Sequence, residues 1–412
     1  MMNKQIKLLN KNTALALTVA VFLSIASPCV YAEDNSSPQK TYELLTSYNP
    51  DYYTNMIIND NMMSIEGKYT DDPISRIYLQ AEITANAVIE TNQDGAFTAK
   101  LKLELAPADN NNRVVIVLTS GTVMSYRIEY DDGWYFPDNG IKQKNTEVFD
   151  HIYETGSAAW ANYVSDELTE ESVRETLEEI QTLSDEITEG IEDDYKKMLA
   201  LGHWMSDNIY YDRDARDNSV TLSTISMNNV LKDHKTVCSG YANLYCALLE
   251  AQGIRAVNIK GSVVSSSAGI NYEDLAHSPQ NHEWTAVWLD DRWIYMDTVW
   301  NSDNFYELER FYTNPSDDQY SDITPFALSL NHRADRAEQR HYFRALEYFE
   351  KTQDESQEEF SYDAPMPDEK PDNQADFYIK VILYVVVMAA VAAVALYIIR
   401  YIRNKDKKGK LK

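Results

Sequence analysis

From Val381 to Ile399 the chain runs for 19 residues without a charge. As a helix this segment is about 28 Å long, the thickness of a bilayer's hydrocarbon core, and it predicts one transmembrane helix over 377–400. Arg400, Arg403, Lys405, Lys407, Lys408, Lys410 and Lys412 follow it against Asp406 alone. Positive flanks stay in the cytoplasm, so 401–412 reads as a cytoplasmic tail. At the other end Lys4, Lys7 and Lys11 precede an apolar run from Ala14 to Ala26, and Val30-Tyr31-Ala32 offers small residues for cleavage. Residues 1–32 therefore read as a secretory signal peptide; Pro28 disfavours a lipid anchor at Cys29. The stretch 346–376, acidic and carrying Pro365, Pro367 and Pro371, has little apolar surface to bury and reads as a disordered tether. The body between is expected outside the membrane.

The 412 residues leave room for two or three domains of roughly 150 residues each. With 65 Asp plus Glu against 37 Lys plus Arg, the net charge of -28 argues against nucleic acid as a partner. Only three cysteines occur. Cys238 and Cys246 are two turns apart on what reads as one helix, about 12 Å along its axis, too far for a disulfide. Reduced thiols in an exported protein point toward chemistry.

Between Thr41 and Asn145 the hydrophobic period is two. Phe97, Ala99, Leu101, Leu103 and Leu105 alternate with polar residues, and Asn92-Gln93-Asp94-Gly95 and Asp109-Asn110-Asn111-Asn112 supply turns. This predicts a small β-sandwich over 41–146 with no chemistry of its own. The period then becomes helical: Val173, Leu177, Ile180, Leu183 and Ile187 form one stripe, closed by Gly190, in a connector over 147–192. A second helix is expected from about Asp193 to Ile209, and 218–235 reads mainly as loop.

Cys238 opens the next helix, whose end Gly253 marks. Unpaired N–H groups and the positive end of the helix dipole favour a thiolate there, whereas Cys246 lacks that help. Downstream, His282, Trp284, Ala286 and Trp288 share a strand face, and Asp290-Asp291 turn into Trp293, Tyr295 and Asp297. With 289 opposite 292, position 284 faces 297, which puts Asp297 diagonal to His282 on one face. A nucleophile, a base and an orienting carboxylate in this order suit Cys-His-Asp chemistry. A metal site from His234, Cys238, Cys246 and His282 is the weaker alternative, because its two sulfurs lie two turns apart.

The segments Asp194-Tyr195, Trp204 through Asp212, Val237-Cys238-Ser239-Gly240-Tyr241-Ala242, Asn281-His282-Glu283-Trp284 and Met296-Asp297-Thr298-Val299-Trp300 together resemble the bacterial transglutaminase-like core. The resemblance spans roughly Asp193 to Tyr342, and the catalytic domain is expected over 193–345. It implies an α+β, papain-like fold in which a helix-start cysteine packs on an antiparallel sheet, with Cys238, His282 and Asp297 as catalytic triad. Glu283 and Val299 depart from the commoner Ala and Thr at those places. It further implies a thioester formed on Cys238 from a protein glutamine or peptide amide, then transfer to an amine or water. No cofactor or metal site is read from the sequence; the many Asp residues leave calcium open, although no EF-hand spacing is present. Partners would be protein or peptide substrates at the cell surface. The second oxyanion donor is left to Tyr241 or Tyr210. A papain-like peptidase or amidase, or a non-catalytic surface-binding module on the same fold, are the alternatives.

Overall fold

The strand Ala96–Lys102 buries Phe97, Ala99 and Leu101 and exposes Thr98, Lys100 and Lys102, so it needs an apolar partner on one side only. That partner is a second sheet. In the computed structural model, which describes residues 41–80, 85–92, 94–103, 112–138, 140–154, 160–264 and 272–351, strands β1 (Thr41–Leu45), β2 (Tyr52–Asn59), β3 (Met62–Tyr69), β4 (Ile74–Gln80), β5 (Ala85–Asn86), β6 (Val88–Thr91), β7 (Ala96–Lys102), β8 (Asn112–Leu118), β9 (Val123–Tyr130) and β10 (Trp134–Tyr135) form two sheets. Their orders are β1-β2-β3-β7-β6 and β10-β9-β8-β4-β5. Met56, Ile65 and Leu101 of the first meet Ile77, Ile116 and Ile128 of the second in a common core.

The segment behind it is helical and then mixed. Helix α1 (Ile141–Glu147) is followed by β11 (Ile152–Glu154), α2 (Glu170–Ile187) and α3 (Asp194–Asn208). Thr169 and Asp193 cap α2 and α3 through their side chains. The stretch expected as loop contains two short helices, α4 (Leu222–Ile225) and α5 (Met227–Asp233), after β12 (Tyr210–Asp212). Local polar residues bring this about: Thr221 and Thr224 form a capping box, and His234 ends α5 in a left-handed conformation at φ 54°. Met227, Val230 and Leu231 are the residues this helix buries.

A six-stranded sheet and a four-stranded one, in which β12 takes part, carry the rest. After β13 (Lys235–Thr236) and α6 (Cys238–Ala251) come β14 (Ala256–Val263), β15 (His282–Leu289), β16 (Arg292–Met296), α7 (Thr298–Asn301), β17 (Phe305–Glu307), β18 (Arg310–Tyr312), β19 (Ser321–Ile323) and β20 (His332–Gln339). The order of the six-stranded sheet is β11-β20-β14-β15-β16-β19, with every pair antiparallel except β11 with β20. Helix α6 packs against β15 and β14, and its residues Cys238 through Leu249 are all buried. The described residues fall in one compact unit. Thr324 Oγ1 donates to Leu45 O at 2.6 Å and Ser47 bridges Ile323, so the sandwich is tied to the end of the six-stranded sheet. Among the described residues no helix is long and apolar enough to cross a membrane. The expected signal peptide, transmembrane span, tail and all of the tether beyond Lys351 lie outside the described residues.

Candidate active site

The β15–β16 hairpin places two of the three expected groups. Asp290 and Asp291 take φ of 50° and 58°, the left-handed pair that a tight hairpin turn requires and that Asp tolerates. Leu289 then pairs with Arg292, and the register runs back to Thr285 opposite Met296. One step further, Asp297 leaves β16 beside the start of β15. His282 Nε2 lies 2.7 Å from Asp297 Oδ2. The other carboxylate oxygen accepts from the N–H groups of Val299 and Trp300, each at 3.0 Å, and so caps α7. Both side chains are at most 1% exposed.

A carboxylate can only accept, so the His282 Nε2 carries the hydrogen and Nδ1 is the ring's basic nitrogen. Burial alone would raise the Asp297 carboxyl. The charge and hydrogen bond of His282, with help from His332, overcome it and hold this group well below the usual carboxylate range.

Cys238 is the first residue of α6, behind Val237, and is 3% exposed. Further along the same helix Cys246 Sγ meets Thr285 Oγ1 at 3.6 Å, and Asn243 is joined through Arg340 to Glu283. Helix and strand therefore run in the same direction. Eight helical residues back from Cys246 cover about 12 Å, and three strand residues back from Thr285 about 10 Å. Both paths lead to the His282 end of the sheet. Cys246 itself is a core residue: burial pushes its thiol up to about 12.

The start of α6 depends on a residue without a side chain. A Cβ at Gly240 would lie 1.9 Å from Thr236 Oγ1 and 2.8 Å from its Cβ, and that hydroxyl donates to Thr224 O at 2.7 Å. Gly240→Ala must displace Thr236 and with it the first turn. We expect a loss of about 1–3 kcal/mol in urea unfolding; a variant as stable as the parent would show that Thr236 moves aside freely.

His332 was not singled out in the sequence, and it belongs to this cluster. Its Nε2 lies 3.0 Å from the same Asp297 Oδ2, and its Nδ1 is 2.6 Å from Asn331 Oδ1. The carboxylate oxygen can only accept, so the Nε2 of His332 donates to it as that of His282 does. Trp284, Trp300 and Tyr320 surround it with ring centroids 5.1, 4.6 and 5.3 Å away. Asn145 of α1 fixes its backbone, donating to His332 O at 2.9 Å and accepting from Ala334 N at 2.7 Å. The strand that opens with it, His-Arg-Ala-Asp-Arg-Ala-Glu-Gln, has no apolar alternation to announce it.

Glu283, unusual beside the histidine, has a partner equally remote in sequence. Arg340 Nη1 donates to its Oε1 at 2.7 Å, and both side chains are at most 4% exposed. Tyr241 is not available as an oxyanion donor, since its buried hydroxyl donates to Ile209 O at 2.5 Å. Tyr210 faces Thr313 instead. Trp284 lines the cluster, whereas Trp288 packs on Trp293 at 5.2 Å.

The metal alternative is corrected: His234, Cys238, Cys246 and His282 do not converge. Among the described residues the group with ligand atoms within 4.8 Å of one another is His282, Asp297 and His332. Each of those atoms already serves a hydrogen bond inside the triangle, so an entering ion would break the bond that orients His282.

Residues 181–298 match the family model described as the transglutaminase-like superfamily. This segment is similar to the transglutaminase-like superfamily. The matched segment includes Cys238, His282 and Asp297 and stops short of His332. Kyphoscoliosis peptidase from Mus musculus is 28% identical to the chain over 109 residues, 26% of this chain and 16% of that protein; the Homo sapiens protein is 27% identical over the same length. The chain thus matches about a sixth of the length of these relatives. Among solved structures, a putative cysteine protease from Cytophaga hutchinsonii covers 72% of this chain and 86% of its own at 14% identity with a TM-score of 0.25. The periplasmic domain of TgpA from Pseudomonas aeruginosa covers 65% and 85% at 13% identity with a TM-score of 0.23. The similarity to the transglutaminase-like superfamily therefore rests on the family model over 181–298.

Proposed function

We propose that the protein is an extracytoplasmic, membrane-tethered cysteine enzyme in which Cys238, His282 and Asp297 act as nucleophile, base and orienter in acyl transfer. The observation that carries this reading is the buried 2.7 Å His282–Asp297 hydrogen bond, which leaves Nδ1 as the nitrogen able to take a proton from a thiol. In the proposed reaction the Cys238 proton passes to His282 as sulfur bonds to the carbonyl carbon of a glutamine carboxamide or peptide amide. The tetrahedral oxyanion is stabilised by the Cys238 N–H at the start of α6. Collapse breaks the C–N bond, and His282 returns the proton to the departing ammonia or amine. An amine or water then attacks the thioester and frees the sulfur. The outside location and the tether rest on the two terminal apolar runs and the basic tail.

The peptidase name of the mouse and human relatives favours water as a second reading of the acceptor. The two readings separate in one assay on a glutamine peptide with an added amine, because incorporation of the amine marks transfer, whereas ammonia release or peptide-bond cleavage without incorporation marks hydrolysis.

Limiting iodoacetamide on the full-length protein between pH 5 and 9 tests the nucleophile. Cys238 should label rapidly below pH 7 and lose that rate in His282→Ala, whereas Cys246, with its thiol pushed up to about 12, should stay unlabelled. Slow labelling of Cys238 that follows an ordinary thiol and ignores His282 would leave a binding module on the same fold.

A further inference from the structure

A cleft of about 250 Å³ lies where the sandwich meets the six-stranded sheet, lined from one side by β9 and from the other by residues after Asp297. It is smaller than the roughly 300–1,000 Å³ of pockets for drug-sized ligands, and suits one side chain or a small amine. Its described lining carries two carboxylates, Asp303 and Asp317, and no Lys, Arg or His. Asp317 makes no ion pair among the described residues; it accepts from Gln319 N at 2.9 Å. Burial pushes its carboxyl up to about 7, and Asp303, Asp318 and Asp72 add repulsion.

Two further groups in the lining await a partner. The Tyr52 hydroxyl, on a residue 8% exposed, and Ser125 Oγ make no hydrogen bond among the described residues. Tyr52 is close enough to Asp317 for that charge to act on it. Buried hydroxyls without partners cost stability, so a site that keeps them beside an uncompensated carboxylate is arranged for something that arrives.

The rest of the lining says what arrives. Trp300 and Tyr320, with ring centroids 5.1 Å apart in an edge contact, offer aromatic surface, and Ile323 and Leu330 offer apolar surface. A bare metal ion gains little from either, whereas a primary ammonium on an alkyl stem uses the carboxylate, the hydroxyls, the rings and the apolar floor together. We propose that this cleft is a binding site for a primary alkylammonium group, with Asp317 as its counter-ion and the Tyr52 hydroxyl as its second polar contact. Trp300 and Tyr320 are also walls of the cage around His332, so the occupant sits one aromatic layer from the candidate active site. The site goes beyond the proposed acyl transfer and does not require it, because binding needs no reactive thiol.

Calorimetric titration of the full-length protein tests this with Nα-acetyl-lysine methylamide, the same compound acetylated on Nε, cadaverine and calcium chloride. Both amines, or one of them, should bind saturably, and the Nε-acetylated compound should not. Preference for the lysine amide marks a protein side chain as the source, and preference for cadaverine marks a free diamine. Asp317→Asn should weaken the amine about ten- to hundredfold, the span expected for a lost charge-assisted hydrogen bond, and Tyr52→Phe by less. Equal binding of the acetylated compound, affinity unmoved by Asp317→Asn, calcium binding with the amines silent, or no binding of any probe would each overturn the assignment. Since heat of binding is read rather than turnover, the outcome stands whether or not Cys238 proves reactive.

Discussion

Asp297→Asn should slow acyl transfer by about 10³- to 10⁴-fold while the protein keeps its fold, the scale on which triads lose rate when the orienting carboxylate becomes an amide. The asparagine retains an oxygen for the N–H groups of Val299 and Trp300, which occupy Oδ1 at 3.0 Å each. What changes is the atom facing the two imidazoles. An NH₂ in place of Oδ2 cannot accept from His282 Nε2 or from His332 Nε2, now at 2.7 and 3.0 Å. His282 must turn the tautomer round, place its hydrogen on Nδ1 and lose the lone pair that takes the thiol proton. Turnover of a glutamine peptide and the iodoacetamide rate of Cys238 should fall together, whereas thermal unfolding should shift far less than turnover. Turnover within a few-fold of the parent would remove Asp297 from the mechanism. The low native position of this carboxyl has a stability consequence too. Its contribution is complete above the unfolded value near 4 and fades as pH falls through the native value, so activity lost between pH 7 and 5 would have to come from another group.

His332 is the informative companion. His332→Gln keeps one N–H for Asp297 and removes the ring and any charge it carries. If the ring's charge draws on Asp297, His282 should hold its proton more strongly in the variant, and the acid limb of the Cys238 labelling profile should move to higher pH. A purely structural role would lower stability without moving that limb.

Why the sequence disclosed His282 and Asp297 but not His332 follows from what sets each in place. The hairpin is local: Asp290 and Asp291 fix a tight turn, a strand has period two, and the two positions follow by counting. His332 reaches Asp297 across 35 residues, through β20 pairing with β14, with a register shift at Lys260/Gly261. No local rule gives that register, and a strand reading His-Arg-Ala-Asp-Arg-Ala-Glu offers no apolar alternation to mark its faces. The helix-start position of Cys238 was legible because its signals lie within a few residues. The seating of α6 on β15 was not, because Cys246 and Thr285 meet only in three dimensions. The two helices in 218–235 were hidden for the opposite reason, since Ser, Thr and Asn serve equally as loop and as caps. The ends of the chain were read from apolar length and charge alone.

The largest stability effect is expected away from the thiol, at Arg340. Its guanidinium is 1% exposed, Nη1 donates to Glu283 Oε1 at 2.7 Å, and Nη2 donates to Glu338 Oε2 at 2.5 Å. Trp160 and Tyr163 lie over it at 4.9 and 5.4 Å. Asn258 adds a hydrogen bond to Glu283 at 3.1 Å, and Tyr342 bonds Asn243 of α6 at 2.7 Å. Glu283 thus depends on this one cation, whereas Glu338 also pairs with Lys260 at 3.5 Å and Arg336 at 2.9 Å; the guanidinium also ties α6 to the strand that begins at His282. Arg340→Met fills much of the space and leaves Glu283 without its charge partner. We expect a loss of about 3–5 kcal/mol in denaturant unfolding, the usual scale for breaking one side of a buried pair. Adding Glu283→Gln to that variant should recover part of the loss, because the amide needs no counter-charge, whereas Glu283→Gln alone should cost stability by leaving Arg340 with a single carboxylate. A loss below about 1 kcal/mol, or losses that simply add in the double variant, would show that water or side-chain movement satisfies Glu283 without Arg340. Under the coupling expected here, the glutamate beside the histidine is an anchor for the active-site strand, and its departure from the commoner alanine is explained by the arginine 57 positions away.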